Sequence, residues 1–230
     1  MIRAVIFDFN GVLVDDEHLH FAMFQEVLDE EGVHITVDDY HAKYLGLDDK
    51  GCFAAALLDG GQTTDDVRLD ELIARKAIRY AQHAAQELTF FPEAAEALER
   101  LGSVLPIAIN SGALRPEIEF ALSLIDRRRF VREIVSAEEV ERCKPDPQGY
   151  VMALEVLRRE PGYANLAPDE CVVFEDSLAG VISAKGAGMY AVGVSNTYAA
   201  GELLASGADA VIDGLVGLDP TWIAHTFDGV

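Results

Sequence analysis

Short, unbroken apolar runs separated by amphipathic stretches set the rhythm of the chain. Runs at 4–7, 104–109, 131–135, 171–174 and 190–194 are rich in β-branched and aromatic residues, and a weaker one lies at 210–212. Runs this short, with no polar alternation, predict strands buried on both faces. Between them the spacing predicts helices over 92–101, 116–125, 147–159 and 178–187. The first has Pro92 at its start, and the second carries Ile118, Leu122 and Ile125 on one face. Strand and helix alternate through the second half, the signature of a doubly wound parallel α/β sheet. In such sheets sites form outside the carboxyl ends of the strands.

Residues 15–88 break the alternation. They contain no convincing strand but have helical patterns at 19–30, 37–45, 51–58 and 65–86, punctuated by Gly60-Gly61 and the turn from Gly46 to Gly51. The pattern predicts a helical insertion after the first strand. Residues 1–14 and 89–230 then form the α/β domain, and residues 15–88 a second, helical domain.

Half of the residues are apolar, enough to offset the entropy of folding. The formal net charge is −22, so nucleic acid and anionic membranes are repelled over most of the surface. A small anionic substrate needs a local cation to overcome that field. The three cysteines, Cys52, Cys143 and Cys171, form no C-x-x-C pair and predict neither a disulfide framework nor a zinc site. No stretch reaches the roughly 18 apolar residues of a membrane span, and the N-terminus lacks a signal-peptide pattern. A soluble, cytoplasmic protein is expected.

Four strand ends carry the candidate chemistry. Asp8 closes the first strand and is followed by Asn10-Gly11, where an aspartate serves as a nucleophile, a metal ligand or a cap for the turn. Ser111-Gly112 follows the 104–109 run, where a hydroxyl and free backbone N–H groups suit a phosphate and also suit an ordinary turn. Lys144 lies in Cys143-Lys144-Pro145-Asp146-Pro147, whose prolines restrain where its ammonium points. Glu175-Asp176 follows the 171–174 run, and two adjacent acids there repel unless a cation is bound or one turns away. Asp8 and Asp176 together offer hard oxygen ligands suited to Mg²⁺. Ser177 reads as a helix cap.

In the order Asp, Ser, Lys, Glu-Asp these motifs resemble the haloacid dehalogenase-like hydrolase superfamily, most closely its β-phosphoglucomutase and phosphoglycolate phosphatase-like branch, and the resemblance covers essentially the whole chain. It implies a Rossmann-like core with a mobile helical cap that selects the substrate. It also implies that Asp8 attacks the phosphorus of a small phosphorylated metabolite to give an aspartyl-phosphate, while Ser111, Gly112 and Lys144 hold the phosphoryl group. Asp8, Asp176 and the backbone carbonyl of Asn10 would bind Mg²⁺, with Glu175 supporting the metal or Lys144. Glu17, His20 and Lys50 are the cap residues expected to select substrate, and a monomer is expected.

Two departures modify that picture. Phosphatases and mutases of the branch carry aspartate two residues after the nucleophile as general acid and base, whereas this chain has Asn10, which exchanges no proton near neutral pH. The expected outcomes are an attenuated phosphatase, a substrate with a good leaving group, rescue by Asp15, Asp16 or His20, a binding protein without turnover, or an engineered Asp-to-Asn change that traps a complex. The mutases place an arginine in the cap loop, whereas this loop reads Leu45-Gly46-Leu47-Asp48-Asp49-Lys50, leaving only Lys43 or Lys50 to substitute. Phosphatase is therefore preferred to sugar phosphomutase. A phosphonate-cleaving enzyme would need a cap lysine for a Schiff base, for which Lys43, Lys50 and Lys76 are the candidates.

Overall fold

The computed structural model describes residues 1–45 and 47–229. In chain order the strands are β1 (Ala4–Phe7), β2 (Val14–Asp15), β3 (Thr89–Phe90), β4 (Ile107–Asn110), β5 (Val131–Val135), β6 (Cys171–Glu175), β7 (Tyr190–Val194) and β8 (Ala210–Ile212). The helices are α1 (Glu17–Glu30), α2 (Val37–Asp39), α3 (Asp49–Asp59), α4 (Asp66–Glu87), α5 (Ala94–Gly102), α6 (Arg115–Leu124), α7 (Gln148–Leu157), α8 (Leu178–Gly186), α9 (Ala200–Ala205) and α10 (Pro220–Ile223). The chain divides into two compact units, Met1–Asp15 with Phe90–Val230, and Asp16–Thr89.

In the first unit six strands form one sheet in the order β5-β4-β1-β6-β7-β8, every neighbouring pair running parallel. All four residues of β1 are buried, and Val5 faces Ile107 on one side and Val172 on the other. Ile6, Val173 and Ala191 pack with Tyr150, Leu154 and Val181 of α7 and α8 in one apolar cluster. The doubly wound sheet is thus the expected one. The chain winds outward from β1 through β4 and β5, then returns to the far side of β1 at β6. The strand order reverses between β1 and β6, so the crevice outside their carboxyl ends is the place where such sheets hold ligands.

One strand is shorter than its apolar run. Val104 and Leu105 bond back to Leu101 in a turn, and Val104 is 59% exposed, so β4 begins only at Ile107. Pro106 supplies no N–H to a ladder, which explains the late start.

The second unit packs Phe24, Val27 and Leu28 of α1 against Phe53, Ala56 and Leu57 of α3 and Leu69 and Leu72 of α4. The predicted helix over 37–45 continues past α2 as a π-helical turn at Tyr40–Tyr44. α3 starts earlier than its periodicity predicts because the Asp48 side chain accepts from the Gly51 N–H at 2.8 Å, making Asp48 the N-cap and Asp49 helical. Gly46, in the loop read from the sequence, lies outside the described residues. Among the described residues no helix is long and apolar enough to cross a membrane.

Candidate active site

Asp8 leaves the carboxyl end of β1 beside Glu175 and Asp176 at the end of β6, at the point where the strand order reverses. The three carboxylates are buried, and each offers an oxygen within 4.8 Å of the others. Gly11 makes this convergence sterically feasible. Its φ is +73°, and a Cβ there would lie 2.0 Å from Asp176 Oδ2.

Lys144 ties the group together. Its Nζ lies 2.9 Å from Asp8 Oδ2 and 2.5 Å from Glu175 Oε1. The loop that delivers it is pinned at both sides, since the Gln148 N–H donates to Asp146 Oδ1 at 3.0 Å and the Ser183 hydroxyl of α8 donates to the Asp146 carbonyl at 2.7 Å. Burial pushes the Lys144 ammonium down, but the two carboxylates outweigh that and hold it above its ordinary value.

Glu175 is fully buried and has its oxygens engaged. Oε1 also accepts from the Tyr150 hydroxyl at 2.6 Å, and Oε2 accepts from the N–H and hydroxyl of Ser177 at 3.1 and 3.0 Å. Burial pushes Glu175 up, yet the Lys144 charge and these hydrogen bonds bring it below the usual range. Glu175 therefore stands as the fixed anion that orients Lys144.

The other two carboxylates are displaced the opposite way. Burial, then the charge of Glu175, push Asp8 up to about 7 despite Lys144 and the Phe9 N–H, which donates to Asp8 Oδ1 at 2.7 Å. Asp176 is raised well above its ordinary value by burial and by Glu175 and Asp8. With all three acids ionised against one ammonium, two negative charges would stand in excess in a buried crevice. A divalent cation with hard oxygen preference would neutralise them, so the residues fit such an ion.

Ser111 and Asn10 form the other wall, the Ser111 hydroxyl donating to Asn10 Oδ1 at 3.2 Å. One expectation needs correction here. The Ser111 N–H is not available to a phosphate, because it donates to the Val135 carbonyl at 3.0 Å and so belongs to the β4–β5 ladder. The Ser111 hydroxyl is the group left at that corner, and it also accepts from the Ala113 N–H at 3.1 Å. Gly112 is exposed, with open space where a Cβ would project. Ser177 caps α8 as expected, accepting from the Gly180 N–H at 3.0 Å.

Sequence reasoning missed a fifth strand end. After β7, Asn196 donates from Nδ2 to the Gly11 carbonyl at 2.7 Å, and the Thr197 hydroxyl donates to Asp176 Oδ2. Its signal was visible as a Ser-Asn-Thr run following a buried strand. Tyr150 of α7, whose hydroxyl donates to Glu175, was the other omission.

The substrate-selecting candidates belong to the helical unit. Glu17 accepts from the Tyr40 hydroxyl, and Lys50 is exposed and paired with Asp66 at 2.9 Å. His20 is no exposed helix-face histidine. Its Nδ1 lies 2.8 Å from Lys76 Nζ, its Nε2 lies 3.2 Å from Asp16 Oδ2, and its ring stacks on Tyr80, which donates to the same carboxylate. Lys76 is wholly buried and paired with Asp49 at 2.5 Å.

Comparison with known proteins agrees with the fold. The profile of the family described as haloacid dehalogenase-like hydrolase matches residues 5–194. The chain is 29% identical to validoxylamine A 7′-phosphate phosphatase of Streptomyces hygroscopicus subsp. limoneus, over 94% of this chain and 95% of that one. It is 30% identical to the phosphorylated carbohydrates phosphatase of Thermotoga maritima, over 92% and 94% of the two chains. A crystal structure of β-phosphoglucomutase from Clostridium difficile shares the fold with a TM-score of 0.85 at 21% identity, covering 100% of this chain and 98% of that one.

Proposed function

The chain belongs to the haloacid dehalogenase-like hydrolase family, in the branch of CbbY and β-phosphoglucomutase, and from that premise we propose that it is a Mg²⁺-dependent phosphatase of a small phosphorylated metabolite. The observation that carries this reading is Lys144 held between Asp8 and Glu175 where the strand order reverses. Two relatives named as phosphatases, one of validoxylamine A 7′-phosphate and one of phosphorylated carbohydrates, support a sugar phosphate as substrate. A cytoplasmic setting accords with three free thiols.

Phosphoryl transfer depends mostly on positioning and charge neutralisation. Asp8 is the nucleophile: one of its carboxylate oxygens bonds to phosphorus as the bond from phosphorus to the ester oxygen breaks. Water then attacks the aspartyl-phosphate, returning Asp8 and releasing inorganic phosphate. Lys144 and the Ser111 hydroxyl hold the phosphoryl oxygens, while Glu175 keeps Lys144 in place. Asp8, Asp176 and the backbone carbonyl of Asn10 would hold Mg²⁺, which when bound would supply positive charge beside the transferring group.

Asn10 limits the rate. Its amide forms hydrogen bonds but transfers no proton, so neither the leaving oxygen nor the attacking water receives general acid–base help from this position. Hydrolysis is preferred to phosphomutation because Lys43 pairs with Asp39 and Asp59, and Lys50 with Asp66, so the loop's cations already have carboxylate partners.

The test is phosphate release from a panel of sugar, alkyl, aryl and acyl phosphates with Mg²⁺, for the wild type, Asp8→Asn and Asn10→Asp. Asp8→Asn should abolish release and Asn10→Asp should increase it. Absence of release by wild type and Asn10→Asp from every ester, activated ones included, would sink the phosphatase reading in favour of a binding protein.

A further inference from the structure

We propose that Asn196 and Thr197, on the loop after β7, are positioning residues that shape the cation site by clamping its two halves. The inference rests on the Mg²⁺ reading above and assigns a role to a loop that none of the four strand-end motifs includes.

The site is assembled from two separate turns. One is Asp8-Phe9-Asn10-Gly11 after β1, and the other is Glu175-Asp176 after β6. They pack so closely that Gly11 has no room for a Cβ against the Asp176 carboxylate. Close packing alone does not decide which way a carboxylate or a carbonyl points. Directional hydrogen bonds do, and both come from one dipeptide. Thr197 donates its hydroxyl to Asp176 Oδ2, and Asn196 donates its amide to the Gly11 carbonyl at 2.7 Å.

The dipeptide is itself fixed. The Asn196 N–H donates to the Val194 carbonyl at 2.8 Å, and the Ser195 N–H donates to the Ile212 carbonyl at 2.9 Å, which carries the β7–β8 ladder on into the loop. The clamp is thus built on the parallel sheet, as a precise ligand geometry requires.

Chemistry gives each bond a purpose. A donor to Asp176 satisfies part of a buried carboxylate that lies beside Glu175 and Asp8. It also restrains the orientation of the carboxylate. Holding the Gly11 carbonyl restrains the turn that presents the Asn10 carbonyl. Outer partners of this kind typically govern metal affinity by about 10–100-fold. Thr197 is an exposed residue, so removing its hydroxyl does not threaten the core.

The test is Mg²⁺ affinity by titration calorimetry, with Mn²⁺ binding followed by electron paramagnetic resonance as the second readout. It uses the full chain as wild type, Thr197→Val, Thr197→Ser and Asn196→Ala. Thr197→Val keeps shape and removes the donor, so its dissociation constant should rise about 10–100-fold. Thr197→Ser restores a hydroxyl and should stay within about threefold of wild type, and Asn196→Ala should fall between the two. Folding is checked by circular dichroism on every variant. If Thr197→Val and Asn196→Ala are folded and bind both ions as the wild type does, the positioning role is wrong while the Mg²⁺ reading stands. If the wild type binds neither ion, both fail together.

Discussion

Lys144 and Glu175 form a buried ion pair at 2.5 Å in which each partner holds the other in its charged form. Glu175 is fully buried and also bound by Tyr150 and Ser177. Removing Lys144 would leave two carboxylates facing each other without compensation. Breaking such a pair from one side costs about 3–5 kcal/mol, far more than the pair's net contribution. Lys144→Met should therefore lower Tm and abolish phosphate release. Tyr150→Phe removes one hydrogen bond to the same carboxylate and should cost about 1–3 kcal/mol with partial activity retained. Thermal melts and steady-state assays check both, and an unchanged Tm in Lys144→Met would show that the carboxylates are not held as described.

Asp8 makes stability depend on pH when no divalent ion is present. Its folded value is pushed up to about 7 from an ordinary 3.8, so the folded state binds this proton more tightly than the unfolded chain does. The stabilising contribution is complete below about pH 4 and is lost as pH rises through about 7. Asp8→Asn removes that dependence. In chelator the variant should match or trail the wild type at pH 4–5 and exceed its Tm at pH 8, with the gap closing when Mg²⁺ is added. A constant Tm difference across that range would contradict the raised value.

The parallel sheet and three of the site's strand ends were legible because each depends on local features: an unbroken apolar run, then a polar residue or glycine. Asp8, Ser111 and the Glu175-Asp176 pair stand at such positions, and the strand order brings the three acids together. What stayed hidden depends on partners distant in sequence. The Ser111 N–H reads as available until β5 is placed beside β4 and Val135 takes it. Thr197 lies 21 residues from Asp176, and the Ser-Asn-Thr run marks a strand end without indicating which carboxylate its hydroxyl reaches. Tyr150 sits among the apolar residues of α7, and only the packing of that helix shows its hydroxyl on Glu175.

The same limit explains Lys76. From the sequence it is one of several charged residues along α4, yet it is wholly buried, 2.5 Å from Asp49, 2.8 Å from His20 Nδ1 and over the Phe24 ring at 4.4 Å. Since the ammonium only donates, His20 Nδ1 must accept and its Nε2–H points to Asp16. Lys76→Met should destabilise by about 3 kcal/mol, a Tm drop on the order of 10 °C. Adding Asp49→Leu should recover most of the loss, because it removes the unpaired carboxylate. Arg79→Gln, which breaks solvent-facing pairs to Glu26 and Glu30, should leave Tm nearly unchanged. Equal losses at Lys76 and Arg79 would mean that burial does not set these energies.

Asn10 separates esters by their leaving groups. Ser111 donates to its side-chain oxygen, and the amide has no proton to give to a departing alkoxide. An alkyl leaving oxygen, whose conjugate acid is weak, suffers most from that lack, while a phenolate or carboxylate departs without protonation. For the wild type kcat/KM should therefore fall steeply as the leaving group becomes more basic. Asn10→Asp should flatten the dependence, raising alkyl and sugar phosphates by about 10²–10⁴-fold and aryl phosphates far less. The second half-reaction also lacks a base at this position, so an aryl phosphate should give a burst of phenol near one equivalent before the steady rate, with the phosphoryl group retained on Asp8. Rapid-quench kinetics and intact-protein mass measure both quantities. Equal leaving-group slopes in the two proteins, without a burst, would place the proton transfer on another residue, and Asp15→Asn and His20→Gln in the same assay would then locate it.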